Sequence, residues 1–289
     1  MEKLIKKTII VFTMILIFIS STYAQNFAEE SANAFSAKDY KKLEKLLPDW
    51  EKAEPKNPEV QIAWFNYYLE RNLKIVPTQG LMPDGRMGLY DRPVFNDNDV
   101  KLAIECLDKV LKDNPDRLDV HFGKCHSLIQ AEHYDEGGQA VVNMIETSKK
   151  IKQWKWSKGA VLDYDVEMAV FSGVNDYSTM LCNGFDASKN GMAKMVVSIE
   201  KNYPKNTIGL NCCARYYTLI KDYKKAVATL KKAYDLNTQD YVILGNLGYL
   251  YELSGNIAEA KKRYEKMAKM SDPKAQQYAK EYLDELDKK

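Results

Sequence analysis

The stretch LGNLGYLYELSGNIAEAKKRY, residues 244–264, decides the fold. Leu244, Leu247 and Tyr251 recur at helical spacing and mark one apolar face, with Gly248 set into it. Gly255-Asn256 then interrupts the pattern, and Asn256 can cap a second helix that carries Ala260 and, four residues on, Tyr264. The glycine is the informative residue. A position without a side chain lets the second helix approach closely, while Tyr251 and Tyr264 fill the space beside it. One unit upstream the same order recurs as Leu210-x-x-Cys213-Ala214-x-x-Tyr217, Asp222-Tyr223, then Ala226-x-x-x-Leu230.

Working outward, six stretches share this register. They open at Leu43, Ala103, Gly137, Met192, Ala226 and Ala260, each followed four residues later by Leu47, Leu107, Val141, Val196, Leu230 or Tyr264. Spacings between successive openers are 60, 34, 55, 34 and 34. A repeat of 34 residues in helix–turn–helix form resembles the tetratricopeptide family. The third unit keeps it as His121-x-x-Lys124-Cys125-x-x-Leu128, and the second as Trp64-Phe65-Asn66-Tyr67. The first retains mainly Asp39-Tyr40 and Leu43-x-x-x-Leu47. Asp39, Asp99, His133, Asp222 and Asn256, four residues before an opener, are expected at or near the start of each second helix, with Ser188 filling that role in the fourth unit. The resemblance implies an all-α, right-handed α-solenoid of about six stacked hairpins over residues 25–272. Residues 273–289 close it as a capping helix, since Ala275, Tyr278, Ala279, Tyr282, Leu283 and Leu286 share a face and charges take the other.

The two long steps locate two insertions. The first, about residues 74–96, contains Pro77, Gly80, Pro83, Gly85, Gly88 and Pro93, which predicts an extended surface loop. The second, about residues 150–162, carries Trp154 and Trp156 among Lys152, Lys155 and Lys158 and leads into a longer helix near 163–182. After the N-terminal segment helices alternate with short turns throughout, and no alternating strand pattern of useful length is visible.

At the N-terminus Lys3, Lys6 and Lys7 precede an apolar run from Ile9 to Ile19 and a small residue, Ala24, before Gln25. That order predicts a cleaved secretory signal over residues 1–24. The overall pattern is similar to uncharacterised exported repeat proteins of Gram-negative Bacteroidetes, which implies a periplasmic or secreted protein. Removing the segment leaves 39 Lys+Arg against 39 Asp+Glu, so net charge falls from +2 to zero. A neutral chain offers no global electrostatic reason to bind nucleic acid or an anionic membrane. The five cysteines, Cys106, Cys125, Cys182, Cys212 and Cys213, are odd in number and irregular in spacing, so they read as packed thiols.

In a stacked solenoid the first helices line a concave face. By register Phe122, His126 and Gln130 point into it from the third unit, Asn211, Arg215 and Thr218 from the fifth, and Asn246, Tyr249 and Glu252 from the sixth. Amides, aromatics and one guanidinium suit a peptide gripped through its backbone and an acidic group. The set faintly resembles the co-chaperone members of the family, whose groove amides and lysines hold a C-terminal carboxylate; Asn211 and Asn246 could serve as the amides, while the groove lysines are missing and Arg215 is the one cation in their place. The expected partner is a protein or peptide of the cell envelope. A second candidate is a glycan platform built on Trp154 and Trp156. No metal, cofactor or catalytic residue is expected: His121, His126 and His133 lack a zinc-type spacing, and Asp84, Arg86, Asp91, Arg92 and Asp97 lack the regular oxygens of a calcium loop.

Overall fold

The computed structural model describes residues 26–81, 87–163 and 165–288. The expected signal segment therefore lies outside the described residues. The chain divides into two compact units, one running through Val120 and including Ser157–Gly159, the other holding His121–Trp156 and everything from Ala160 onward.

The first unit contains helix α1 (residues 26–36), α2 (Tyr40–Ala53), α3 (Pro58–Glu70), strands β1 (Lys74–Leu81) and β2 (Met87–Val94), and α4 (Asp97–Asp113). Leu43, Leu47 and Trp50 of α2 pack with Ala34, Val60 and Tyr67, and Phe65 of α3 packs with Ala103, Cys106, Leu107 and Val110 of α4. Helix α5 (Leu118–Gln130) crosses from one unit to the next. The second unit continues with α6 (Tyr134–Ser148), the two-residue strands β3 (Lys155–Trp156) and β4 (Ala160–Val161), and helices α7 (Val166–Asn183), α8 (Phe185–Asn202), α9 (Thr207–Leu219), α10 (Tyr223–Leu236), α11 (Tyr241–Leu253), α12 (Ile257–Ala268) and α13 (Pro273–Leu286). Here successive hairpins stack: α9 packs on α7, α8 and α10, and α11 on α10, α12 and α13.

The architecture is that of repeated helical hairpins. Every opener falls in a second helix (α2, α4, α6, α8, α10 or α12), and every opener and its apolar partner four residues on is buried. Burying both on one stripe is what orients each second helix toward the core. At Gly248 an added Cβ would overlap the Tyr264 ring, so the expected close approach of α11 and α12 occurs there. Helices α6 and α8 cross backbone to backbone at Gly138 and Gly191: a Cβ on Gly138 would overlap the Gly191 backbone, and one on Gly191 would run into the Tyr134 carbonyl and press on Gly138.

Four of the turns inside hairpins share one device. Lys38, Glu132, Lys221 and Gly255 each have positive φ, between 54° and 77°, and each stands five residues before its opener. Two backbone bonds close each turn: Asp222 N–H donates to Tyr217 C=O at 2.9 Å and Lys221 N–H to Thr218 C=O at 3.0 Å, and equivalent pairs occur in the other three. This is the helix ending that favours glycine at the left-handed position.

Several expectations are corrected. The first insertion is an antiparallel hairpin, β1 with β2, running from Lys74 opposite Val94 to Leu81 opposite Met87. Its prolines fit because a two-stranded ladder uses only alternate N–H groups of each strand, leaving positions where Pro77 and Pro93 sacrifice nothing. Asp99 is no cap. Asn96 accepts the Asp99 N–H at 3.1 Å and starts α4, whereas the Asp99 carboxylate is buried and receives Arg71 and, at 2.7 Å, Asn72. Ser188 lies buried inside α8, where its hydroxyl donates to Leu181 C=O, so it does not cap either. His133 stands at the N-cap position of α6 and makes no side-chain capping bond. Asp39, Asp222 and Asn256 do cap, accepting from Lys42, Lys225 and Glu259 N–H groups at 3.0–3.2 Å.

Candidate binding face

The expected site residues on α5, α9 and α11 all belong to the second unit. They divide into two groups. On α9 and α11, Asn246 Nδ2 donates to Asn211 Oδ1 at 2.8 Å, tying the first helices of adjacent hairpins together. Both amides are half-buried. The bond uses one donor and one acceptor, leaving the Asn211 NH₂ and the Asn246 carbonyl for an outside partner. One turn along α9, Arg215 Nη1 donates to Ser178 Oγ at 3.0 Å and Arg215 Nη2 to Asn175 Oδ1 at 3.4 Å. Both acceptors are neutral, so the guanidinium charge is held in place without being neutralised. Tyr249 is 54 % exposed.

Thr218 and Glu252 are otherwise committed. Thr218 Oγ1 donates to Ala214 C=O within α9 at 2.8 Å, and Glu252 accepts from the Tyr264 hydroxyl at 2.6 Å. Burial, reinforced by that bond, pushes the Tyr264 phenol well above its usual range. Glu252 therefore serves the α11–α12 hairpin.

The second group surrounds α5. Phe122 is half-buried and meets Trp156 edge-on at 5.8 Å and Tyr177 at 5.9 Å. Tyr177 donates to Phe122 C=O at 3.0 Å, and burial drives its phenol upward. A Cβ on Gly173 would overlap the Phe122 ring, so α7 passes close against it. His126 and Gln130 are exposed. Trp154 is only 1 % exposed and lies edge-on to His121 at 5.5 Å. A surface platform of two tryptophans is therefore not formed: Trp154 anchors the insertion in the core, its C=O accepting from Leu162 N–H at 2.9 Å, and Trp156 alone reaches solvent.

Asn175, Tyr177 and Ser178 are not evident from the sequence as part of this face. They sit on α7, in the repeat whose first helix follows the second insertion, where no register carries across. All five cysteines are free thiols; burial raises Cys106 and Cys212 to about 11 and Cys125 to about 12, so none is poised as a nucleophile. Among the described residues no group of three or more His, Cys, Asp or Glu side chains is arranged to hold a metal, and no helix is long and apolar enough to cross a membrane.

The sixth hairpin is where comparison with known proteins is informative. Residues 241–272 match the tetratricopeptide repeat family model. The match spans α11 and α12 and ends at the cap of α13. No curated protein matches the chain. Among solved structures the chain is similar to TTC0263, a thermophilic TPR protein of Thermus thermophilus, at 15 % identity over 64 % of this chain and 91 % of that one, with a TM-score of 0.41. It is also similar to YrrB, a TPR protein with an unusual peptide-binding site, at 13 % identity over 80 % and 96 % with a TM-score of 0.39. MamA from Desulfovibrio magneticus RS-1 is similar at 12 % identity over 58 % and 83 %, with a TM-score of 0.36.

Proposed function

We propose that the protein is an adaptor that holds an extended segment of a protein partner against the first helices of its second unit. The Asn211–Asn246 bridge carries this reading. It fixes a free amide donor and a free carbonyl acceptor on adjacent hairpins, the two groups that pair with a peptide unit of any sequence. Arg215 adds a held positive charge for an acidic side chain or chain terminus, and Tyr249 an exposed ring. Because the helices are already ordered, binding immobilises the partner and little of the adaptor. Phe122 and Trp156 extend the apolar contact, with His126 and Gln130 at its edge.

The lysine-flanked apolar run before Gln25 supports export, and the partner is then a component of the cell envelope. Affinity capture from envelope extract, comparing wild type with an Asn211→Ala/Asn246→Ala variant and an Arg215→Ala/Tyr249→Ala variant, tests the face. Loss of the same captured protein by both variants is expected. Identical capture by wild type and both variants removes this face from consideration.

A further inference from the structure

Residues 25–289 are neutral as a whole, but their charge is not evenly spread. Residues 185–272 hold 15 Lys+Arg against 9 Asp+Glu, while residues 25–184 hold 20 against 26. The basic surplus collects on the outer faces of second helices. In α8, α10 and α12 the buried stripe centres on the openers Met192, Ala226 and Ala260, so positions two and nine residues after an opener stand on the opposite side. In α8 these are Lys194 and Lys201, and in α12 Lys262 and Lys269, flanked there by Glu265 on one side and by Glu259 and Lys266 on the other. In α10 they are Ala228 and Asp235, flanked by Lys224 and Lys231 on one side and Lys225 and Lys232 on the other. All nine of these lysines are exposed. Lys262 pairs with Glu259, and Lys225 lies over the Tyr217 ring. Lys194, Lys201, Lys224, Lys231, Lys232 and Lys269 have no ion pair among the described residues. The sign reverses at α6, whose corresponding outer positions carry Asp135, Glu136 and Glu146.

We propose that the outer faces of α8, α10 and α12 dock on an anionic lipid surface. Three features select that occupant. The charges are lysines, mobile point charges that follow a diffuse field, where a bidentate contact to a base edge or a single phosphate would call for arginine. No aromatic stands at these outward positions to stack on an exposed base. The cations lie on three successive second helices, and Val197, 64 % exposed, stands between Lys194 and Lys201 as an apolar contact at the same face. A broad array of this kind suits a sheet of headgroups, each lysine adding attraction that decays within a Debye length.

Sedimentation of the purified protein with phosphatidylglycerol–phosphatidylcholine vesicles and with phosphatidylcholine vesicles tests this. The wild type is expected to partition onto the anionic vesicles at low salt, weakly at high salt, and not measurably more than background onto neutral ones. Each lysine contributes on the order of fivefold, so Lys194→Glu/Lys201→Glu/Lys224→Glu/Lys231→Glu lowers the partition coefficient more than about a hundredfold. These are exposed positions, and an unchanged circular-dichroism spectrum verifies the fold. A control, Lys101→Glu/Lys109→Glu on α4, retains binding. Equal binding to neutral vesicles, no loss in the fourfold variant, or retention on heparin without vesicle binding would each overturn the proposal. None of the residues of the peptide face is altered, so the two readings fail separately.

Discussion

At the scale of single residues, the left-handed turn positions give the sharpest expectation. Lys38, Glu132 and Lys221 occupy a conformation that an L side chain adopts with strain, and the equivalent position in the last repeat is already Gly255. Lys221→Gly removes the clash between Cβ and backbone at a cost in chain entropy, with a net gain of about 0.5–1 kcal/mol. Urea unfolding should show a higher midpoint at unchanged slope. The opposite change, Gly138→Val, forces a branched side chain into the α6–α8 crossing, where only backbone lies opposite. There is no flexible side chain to give way, so we expect a loss of about 3 kcal/mol or more, read from the same curves. These positions also show what sequence makes legible. Gly248 is recognisable as a close approach because its partner Tyr264 lies in the same 34-residue unit. Gly138 and Gly191 are not, since they meet across an insertion that breaks the register.

At the scale of elements, the β1–β2 hairpin shows how an insertion is attached. Burial alone would raise the Asp99 carboxyl, but the hydrogen bonds from Arg71 and Asn72 and the Arg71 charge outweigh it, so its pKa falls below the ordinary value of 3.8. Arg71 and Asn72 immediately precede β1, and Asp99 follows β2, so this cluster clamps the root of the hairpin. Arg71 also lies over the Tyr67 and Tyr68 rings. Asp99→Ala leaves the half-buried guanidinium without its anion and should destabilise by about 2–3 kcal/mol. The sign of the pH effect follows from the lowered pKa. The contribution is fully present above the ordinary carboxylate value and is lost as pH falls below it through the folded-state pKa. Asp99→Asn should therefore flatten the loss of stability below pH 3.8, as measured by thermal melts across that range. The strands themselves expose Ile75, Met87 and Leu89 by 57–74 % and contribute little to the core. Replacing residues 75–93 with a short turn should leave helical content and melting temperature nearly unchanged. These strands are hard to read from sequence because their density of breakers argues only against helix, and a two-stranded ribbon tolerates the same residues.

At the scale of the whole molecule, the repeat register makes the hairpin order legible, because each opener and its partner four residues on must be buried together. The face on α7 is not legible: Asn175 and Ser178 act through Arg215, three-dimensional neighbours with no fixed sequence offset. In an array of this kind stability passes between neighbours through shared interfaces, so the last hairpin depends on what covers it. Helix α13 covers α11 and α12 by burying Ala275, Ala279 and Leu286, and Tyr282 packs against Tyr264 at 5.0 Å and Tyr278 against Tyr241 at 6.2 Å. Truncation after Ser271 uncovers that surface and should cost about 3–5 kcal/mol, judged from one buried leucine, two buried alanines, the partly buried Tyr282 ring and the exposed Tyr278 ring stacked on Tyr241. The loss should not be uniform. Hydrogen exchange should rise first in α11 and α12, then in α10, and least in α6, following the order in which neighbours lose support. A single cooperative loss with equal exchange from α6 through α12 would show that the second unit folds as one block, with no nearest-neighbour gradient along its hairpins.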